Sequence, residues 1–150
     1  MAIGATWDRG LAEQAGNVMG RELSALGFNL YLGLSLDVLT LPDPAVSMDM
    51  TTRVFGGDPY WVSEMGRAYL AGLHNGANGR MAVIAKHFPG RGGSDRPATQ
   101  EIPTVRRSLD ELKSIELAPF FAVTGNATSP EMTTDGLLVS HIRYQGFQGN

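Results

Sequence analysis

Two ionisable side chains stand together at the end of an apolar run. Residues 81–96 read MAVIAKHFPGRGGSDR, five apolar positions followed by Lys86 and His87. A lysine at the end of a buried strand loses its hydration unless it meets a polar ligand or a carboxylate. Neighbouring residues of a regular strand point to opposite faces. A shared site therefore requires the strand to leave its pleat here, and Pro89-Gly90 directly afterwards suits such a break. Two further strand candidates end in ionisable residues, Asp37 and His141. In parallel α/β folds the C-terminal strand ends lie on one side of the sheet. Asp37, Lys86, His87 and His141 are thus expected around one crevice. For Asp37 and His141 the competing explanation is that polarity simply returns where a strand stops.

Other residue patterns point away from particular chemistries. Gly90-Arg91-Gly92-Gly93-Ser94 lacks the spacing of a phosphate-cradling P-loop, and no helix pattern starts after it. His74, His87 and His141 show no paired ligand spacing, so neither a metal nor a cofactor is called for. His74 falls at a helix end, where a cation complements the dipole. Arg53 alone reads as an ordinary loop arginine.

The elements that must position these groups alternate. Leu11, Ala15, Val18, Met19 and Leu26 recur at helical spacing between Asp8, a plausible N-cap, and Gly27, a left-handed stop. Phe28, Leu30, Leu32, Leu34 and Leu36 then alternate with Asn29, Tyr31, Gly33, Ser35 and Asp37, which predicts a strand with one aliphatic and one small or polar face. A loop holding Pro42 and Pro44 follows. Asp58-Pro59 opens a second helix, whose apolar face is Val62, Met65, Tyr69, Leu70 and Leu73, with Gly76 just past its end. Met81 to Ala85 is a strand apolar on both faces, as in a covered parallel sheet. Ser108-Leu109-Asp110-Glu111 has capping-box form and starts a third helix that Pro119 ends or kinks. Gly136 to Ile142 is the third strand. The order predicts parallel strands with right-handed crossovers and long loops after each strand.

Composition narrows the partners. One globular unit is expected from 150 residues with 43% hydrophobic content. A net charge of −3 provides no basic field for a nucleic acid. The absence of cysteine excludes disulfides and thiolate metal sites. No apolar run approaches the ~20 residues of a membrane span. The stretch MAIGATWDRG lacks signal-peptide form, and the compartment is left open. The 19 glycines read as punctuation at element ends and in one loop.

These motifs carry a resemblance. KHFPGRGGSD resembles the K-H-F-P-G-x-G stretch of glycoside hydrolase family 3. Gly27-Phe28-Asn29 through Leu36-Asp37-Val38 is similar to that family's G-[IVF]-N…P-x-x-D-V strand. Arg53-Val54-Phe55-Gly56-Gly57-Asp58-Pro59 is similar to its R-x-F-G-x-D-P loop, and Ser140-His141-Ile142 with Tyr144 to its A-H-[VI]-x-Y strand end. The resemblance implies a partial (β/α)8 barrel of about three parallel strands with helices, residues 1–150 being an internal fragment of the family's N-terminal catalytic domain. It implies retaining hydrolysis of terminal β-linked sugars, with β-N-acetylhexosaminides favoured over β-glucosides. Arg53, Lys86 and His87 match the family's ligands for hydroxyls of the terminal sugar, and His141 falls on a neighbouring strand end.

The departures set further expectations. A complete barrel takes ~250 residues. The family's sugar-binding aspartate strand is expected before Met1 and its nucleophilic aspartate after Asn150. Retaining hydrolysis needs nucleophile and acid/base about 5 Å apart, so the 150 residues alone are expected to bind sugar weakly and not to turn over. Family members with an Asp-His pair place it in the loop after K-H-F-P-G; here Asp95 occupies that loop without a histidine, as a candidate acid/base or orienting residue whose alternative is a salt bridge with Arg96 or Arg91. The rival readings are a non-catalytic carbohydrate-binding module and a half-barrel that associates with itself or with the remaining strands.

Overall fold

The computed structural model describes residues 1–40, 43, 50–97, 99–100 and 102–148; the loop prolines Pro42 and Pro44 lie outside the described residues. Helix α1 spans Arg9–Ala25, and the Asp8 carboxylate accepts the Leu11 N–H at 3.1 Å, which caps it. Gly27 follows at φ 89°. A short α2, Met50–Arg53, precedes α3, Pro59–Gly76, which Asp58 caps through the Trp61 N–H at 3.0 Å with proline in its first turn.

The helix glycines correct the punctuation reading. Gly16 and Gly20 of α1 lie against the Tyr69 and Leu73 carbonyls of α3, and Gly72 and Gly76 of α3 lie against Glu13 and Asn17 of α1. A Cβ at any of the four would run into main-chain atoms of the facing helix. Periodicity scored on apolar residues misses such a contact, because a glycine contributes closeness and no side chain.

Three strands form a parallel sheet in the order β1-β2-β4: Leu30–Tyr31, Ala82–Phe88 and Gly136–Val139. The first is shorter than its alternation predicts. Ladder pairing covers two residues and lapses at Leu32-Gly33. It resumes where Leu36 N–H donates to the Lys86 carbonyl (2.6 Å) and Lys86 N–H to that of Leu34 (2.9 Å). The aliphatic face divides at the same point. Leu34 and Leu36 are buried in one core with Val62, Met65 and Phe120. Phe28, Leu30 and Leu32 remain about half exposed, at 55%, 49% and 52%, because no described element packs over them.

Strand β2 runs three residues past its expected end, to Phe88, and its register with β4 shifts between Lys86 and Phe88. The Gly33-Leu34, Lys86-His87 and Phe88-Pro89 peptides are cis. The third helix is two: α4, Leu109–Ser114, with the full capping box on Ser108 and Glu111, and α5, Ala118–Ala122, entered through Pro119. Strand β4 stops at Val139 and not at Ile142. The chain bends at His141 and re-forms as β5, Arg143–Tyr144, which pairs in parallel with β3, Thr104–Val105. This two-stranded sheet has its own core of Val105, Leu112, Leu117 and Tyr144. Its strands are too short for a period to register in the sequence.

Candidate functional site at the strand ends

Parallel register delivers Asp37 to His87. The bridge between Ser35 and Lys86 fixes the two strand ends side by side, and Asp37, two residues past Ser35, meets His87, one residue past Lys86. Asp37 is fully buried. Its Oδ2 accepts from the Ser35 hydroxyl at 2.8 Å and from His87 Nδ1 at 2.7 Å, and its Oδ1 accepts the Arg91 N–H at 2.8 Å. Burial alone raises the pKa of such a carboxyl. Here the hydrogen bond and charge of His87, with the Arg91 N–H and the Ser35 hydroxyl, outweigh burial and hold Asp37 below its ordinary value. An ionised Asp37 only accepts, so His87 carries its proton on Nδ1 and leaves Nε2 available to a ligand.

Lys86 stands beside this pair. Its Nζ donates to the Leu32 carbonyl at 2.7 Å. Partial burial, then the charges of Arg53 and Arg91, lower its pKa, and Asp37 opposes them. Arg53, Arg91, Lys86 and Asp37 therefore share one electrostatic neighbourhood. Arg53 arrives there because Leu39 N–H donates to the Gly56 carbonyl at 3.0 Å, pairing the end of the first strand segment with the chain just after α2. The pleat break expected at Lys86-His87 coincides with the register shift between Lys86 and Phe88.

The loop after β2 folds back over the pair. Gly90 takes φ 118°, a left-handed backbone that a side chain would strain. Gly92 presses on the Val38 carbonyl, where a Cβ would collide. Glu116, fully buried between α4 and α5, lies under this loop. Burial raises its carboxyl to about 7 against the pull of Arg107, whose Nε is 2.9 Å from Oε1 without hydrogen-bond alignment. Arg107 also donates to the Thr40 hydroxyl at 2.8 Å, tying the loop back to the first strand segment. Residue types alone gave no signal for Glu116; the kink at Pro119, which breaks the helix beside it, was the only trace.

The other predicted residues are placed differently. His141 is exposed in the bend after β4, and its side chain makes no contact with Asp37, Lys86 or His87 among the described interactions. Asp95 is an anchor. Its Oδ1 accepts the Thr104 N–H at 2.9 Å and Arg96 Nε at 3.3 Å, and its Oδ2 accepts Arg106 Nε at 3.2 Å. The Thr104 N–H first, then Arg96 and Arg106, hold its carboxyl below the usual range. The salt bridge anticipated with Arg96 is present, and Arg106 joins it where Arg91 does not. No group of three or more metal-ligating side chains occurs among the described residues.

Known proteins resemble this chain along most of its length. The sequence model of the glycosyl hydrolase family 3 N-terminal domain matches residues 1–150. The chain is 32% identical over 134 residues to a beta-hexosaminidase of Pseudomonas aeruginosa, covering 89% of this chain and 36% of that protein. Over 124 residues it is 35% identical to the beta-hexosaminidase of Bordetella avium, covering 79% and 33%. Among solved structures it is similar to a family 3 beta-N-acetylglucosaminidase from Paenibacillus sp. str. FPU-7, with a TM-score of 0.84 and 29% identity over 97% of this chain and 26% of that one. It is also similar to NagZ from Neisseria gonorrhoeae in complex with N-trifluoroacetyl-D-glucosamine, with a TM-score of 0.79 and 29% identity over 96% and 41%. The chain thus spans about a third of the length of the curated relatives it matches.

Proposed function

The chain belongs to the glycosyl hydrolase family 3 N-terminal domain family, and from that premise we propose that it forms the sugar-binding wall of a β-N-acetylhexosaminidase. The observation that carries this reading is the placement of Lys86 and His87 together at the end of β2, with His87 held by a fully buried Asp37. Similarity to a solved family 3 beta-N-acetylglucosaminidase supports the N-acetylated sugar over glucose.

In this reading Lys86 and Arg53 donate to ring hydroxyls of the terminal sugar. A charged donor to a neutral hydroxyl is stronger than a neutral pair. His87 offers Nε2 to a neighbouring hydroxyl, its ring fixed through Nδ1 by Asp37. Holding the ring this way presents the anomeric carbon in one orientation, so that part of the entropic cost of reaction is met on binding. Asp95, a carboxylate tied to two arginines, suits an accepting or orienting role and not proton donation. Asp37 is sealed from solvent and committed to His87, so it does not serve as the nucleophile. A retaining mechanism needs a second carboxyl about 5 Å from the acid/base, and we assign that group to further strands of the barrel. The exposed strip Phe28, Leu30 and Leu32 and the open edges of the β1-β2-β4 sheet fit cover by those strands or by a second copy.

Calorimetry with N-acetylglucosamine and with glucose tests this reading. Saturable heat with N-acetylglucosamine, abolished by Lys86→Ala, is the expected result. No heat with either sugar, or equal heat after Lys86→Ala, would overturn it. Rapid hydrolysis of a nitrophenyl β-glycoside by these 150 residues, lost in Lys86→Ala, would overturn the placement of the nucleophile elsewhere.

A further inference from the structure

The sugar reading leaves a cleft beside β3 and β5 unused. It has a volume of about 420 Å³ and is lined by Arg96, Ile102, Thr104, Arg106 and Arg143. Three arginines line it, and Asp95 is the one described carboxylate paired with any of them. That local excess of positive charge stands in a chain whose net charge is −3.

Register explains how the arginines converge. Thr104 pairs with Arg143, and Val105 with Tyr144, across the parallel β3–β5 ladder. Val105 and Tyr144 fill the small core. Alternation sends Thr104 and Arg143 to the opposite face, where the cleft opens. Asp95 fixes the remaining two, with Arg96 Nε at 3.3 Å and Arg106 Nε and Nη2 each at 3.2 Å. These contacts use a minority of the five N–H donors on each guanidinium. The Arg143 guanidinium and the Thr104 hydroxyl have no hydrogen bond or ion pair with any described residue. Three arginines that share one described carboxylate keep a surplus of like charge, which repels, and arginine forks match the paired oxygens of a carboxylate or phosphate.

We propose that this cleft is an oxyanion-binding site, in which a phosphate or carboxylate lies between Arg106 and Arg143 and accepts the Thr104 hydroxyl. Ile102, 62% exposed, offers an apolar surface to the body of the ligand.

Inorganic phosphate titrated into the full chain at constant ionic strength tests the proposal, with chloride as control. Calorimetry gives the affinity, and amide shifts of Thr104 and Arg143 give the place. Saturable binding is expected, weakened roughly tenfold or more by Arg143→Gln and less by Arg143→Lys, which keeps the charge and loses the fork. An unchanged melting temperature in Arg143→Gln shows that this exposed substitution leaves the fold intact. No saturation, an equal response to chloride, or an affinity indifferent to Arg143→Gln would overturn the site. A second arm compares a carboxyphenyl N-acetyl-β-glucosaminide with its methyl ester. Tighter binding of the acid, lost in Arg143→Gln, supports the site and assigns the oxyanion to the sugar ligand. Equal binding of acid and ester, with phosphate saturating, supports the site and assigns it to a free anion. Phosphate saturation with neither glycoside bound would overturn the sugar reading above and uphold this one.

Discussion

The Asp37 carboxylate, fully buried, holds Nδ1 of His87 at 2.7 Å across 50 residues of sequence. It also accepts the Arg91 N–H, so one side chain both orients the histidine and pins the loop that follows it. Asp37→Asn keeps the shape and loses the charge. It should lower stability by about 1–3 kcal/mol and weaken N-acetylglucosamine binding, as read by urea denaturation and calorimetry. Because its folded pKa lies below the ordinary value of 3.8, Asp37 contributes stability that is present above pH 3.8 and lost as pH falls through the folded pKa. The Asn variant should accordingly show a flatter acid limb. Equal acid sensitivity in both proteins would contradict the assignment.

Glu116 gives the opposite sign. Its folded pKa is raised from 4.5 to about 7. Its contribution is full below pH 4.5 and is lost as pH rises through about 7, on the order of 3 kcal/mol at most. Glu116→Gln should remove that decline. Melting temperatures across pH 4 to 8 on both proteins decide the matter, and parallel curves would exclude Glu116 as the source.

Gly72→Ala is a substitution whose helix propensity and packing disagree. Alanine favours a helix interior over glycine by about 1 kcal/mol. A Cβ at Gly72 meets the Glu13 carbonyl and the Asn17 main chain of α1. Overpacking of this kind costs about 1–3 kcal/mol, and the facing atoms are backbone, so the packing term should win. A net loss of stability in chemical denaturation is expected, where a gain would mean that α1 and α3 slide apart cheaply.

The half-exposed strip Phe28, Leu30 and Leu32 should drive association of the chain when nothing covers it. Leu30→Lys with Leu32→Glu is expected to shift light-scattering mass toward the monomer with little effect on the melting temperature. An unchanged mass distribution would place any self-contact elsewhere.

Much of this was legible in the residue order. Asp8, Asp58 and Ser108 cap their helices as their types and spacing predict, and the capping box on Glu111 forms in full. Such signals involve atoms within four residues of one another, so the sequence contains both partners. Lys86-His87 at a strand end was readable for the same reason. The alternation of Phe28 to Leu36 predicts one strand with one aliphatic face. The structure covers only its second half, because burial depends on what lies opposite.

By itself, then, the sequence determined the alternation of the main helices and strands, the caps, the parallel connectivity and the family motif at Lys86-His87, but not α2, β3 or β5. Tertiary structure decided which groups meet. It brought Asp37 to His87 and Arg53 toward Lys86, set Glu116 under the loop, and left His141 in a bend away from the described contacts of that site. It also turned four helix glycines into a contact surface and gathered Arg96, Arg106 and Arg143 around one cleft. The reason is physical. A cap or a period is set by neighbours along the chain, whereas a buried carboxylate finds its partner through the register of two strands 50 residues apart, and that register exists only once the sheet has formed.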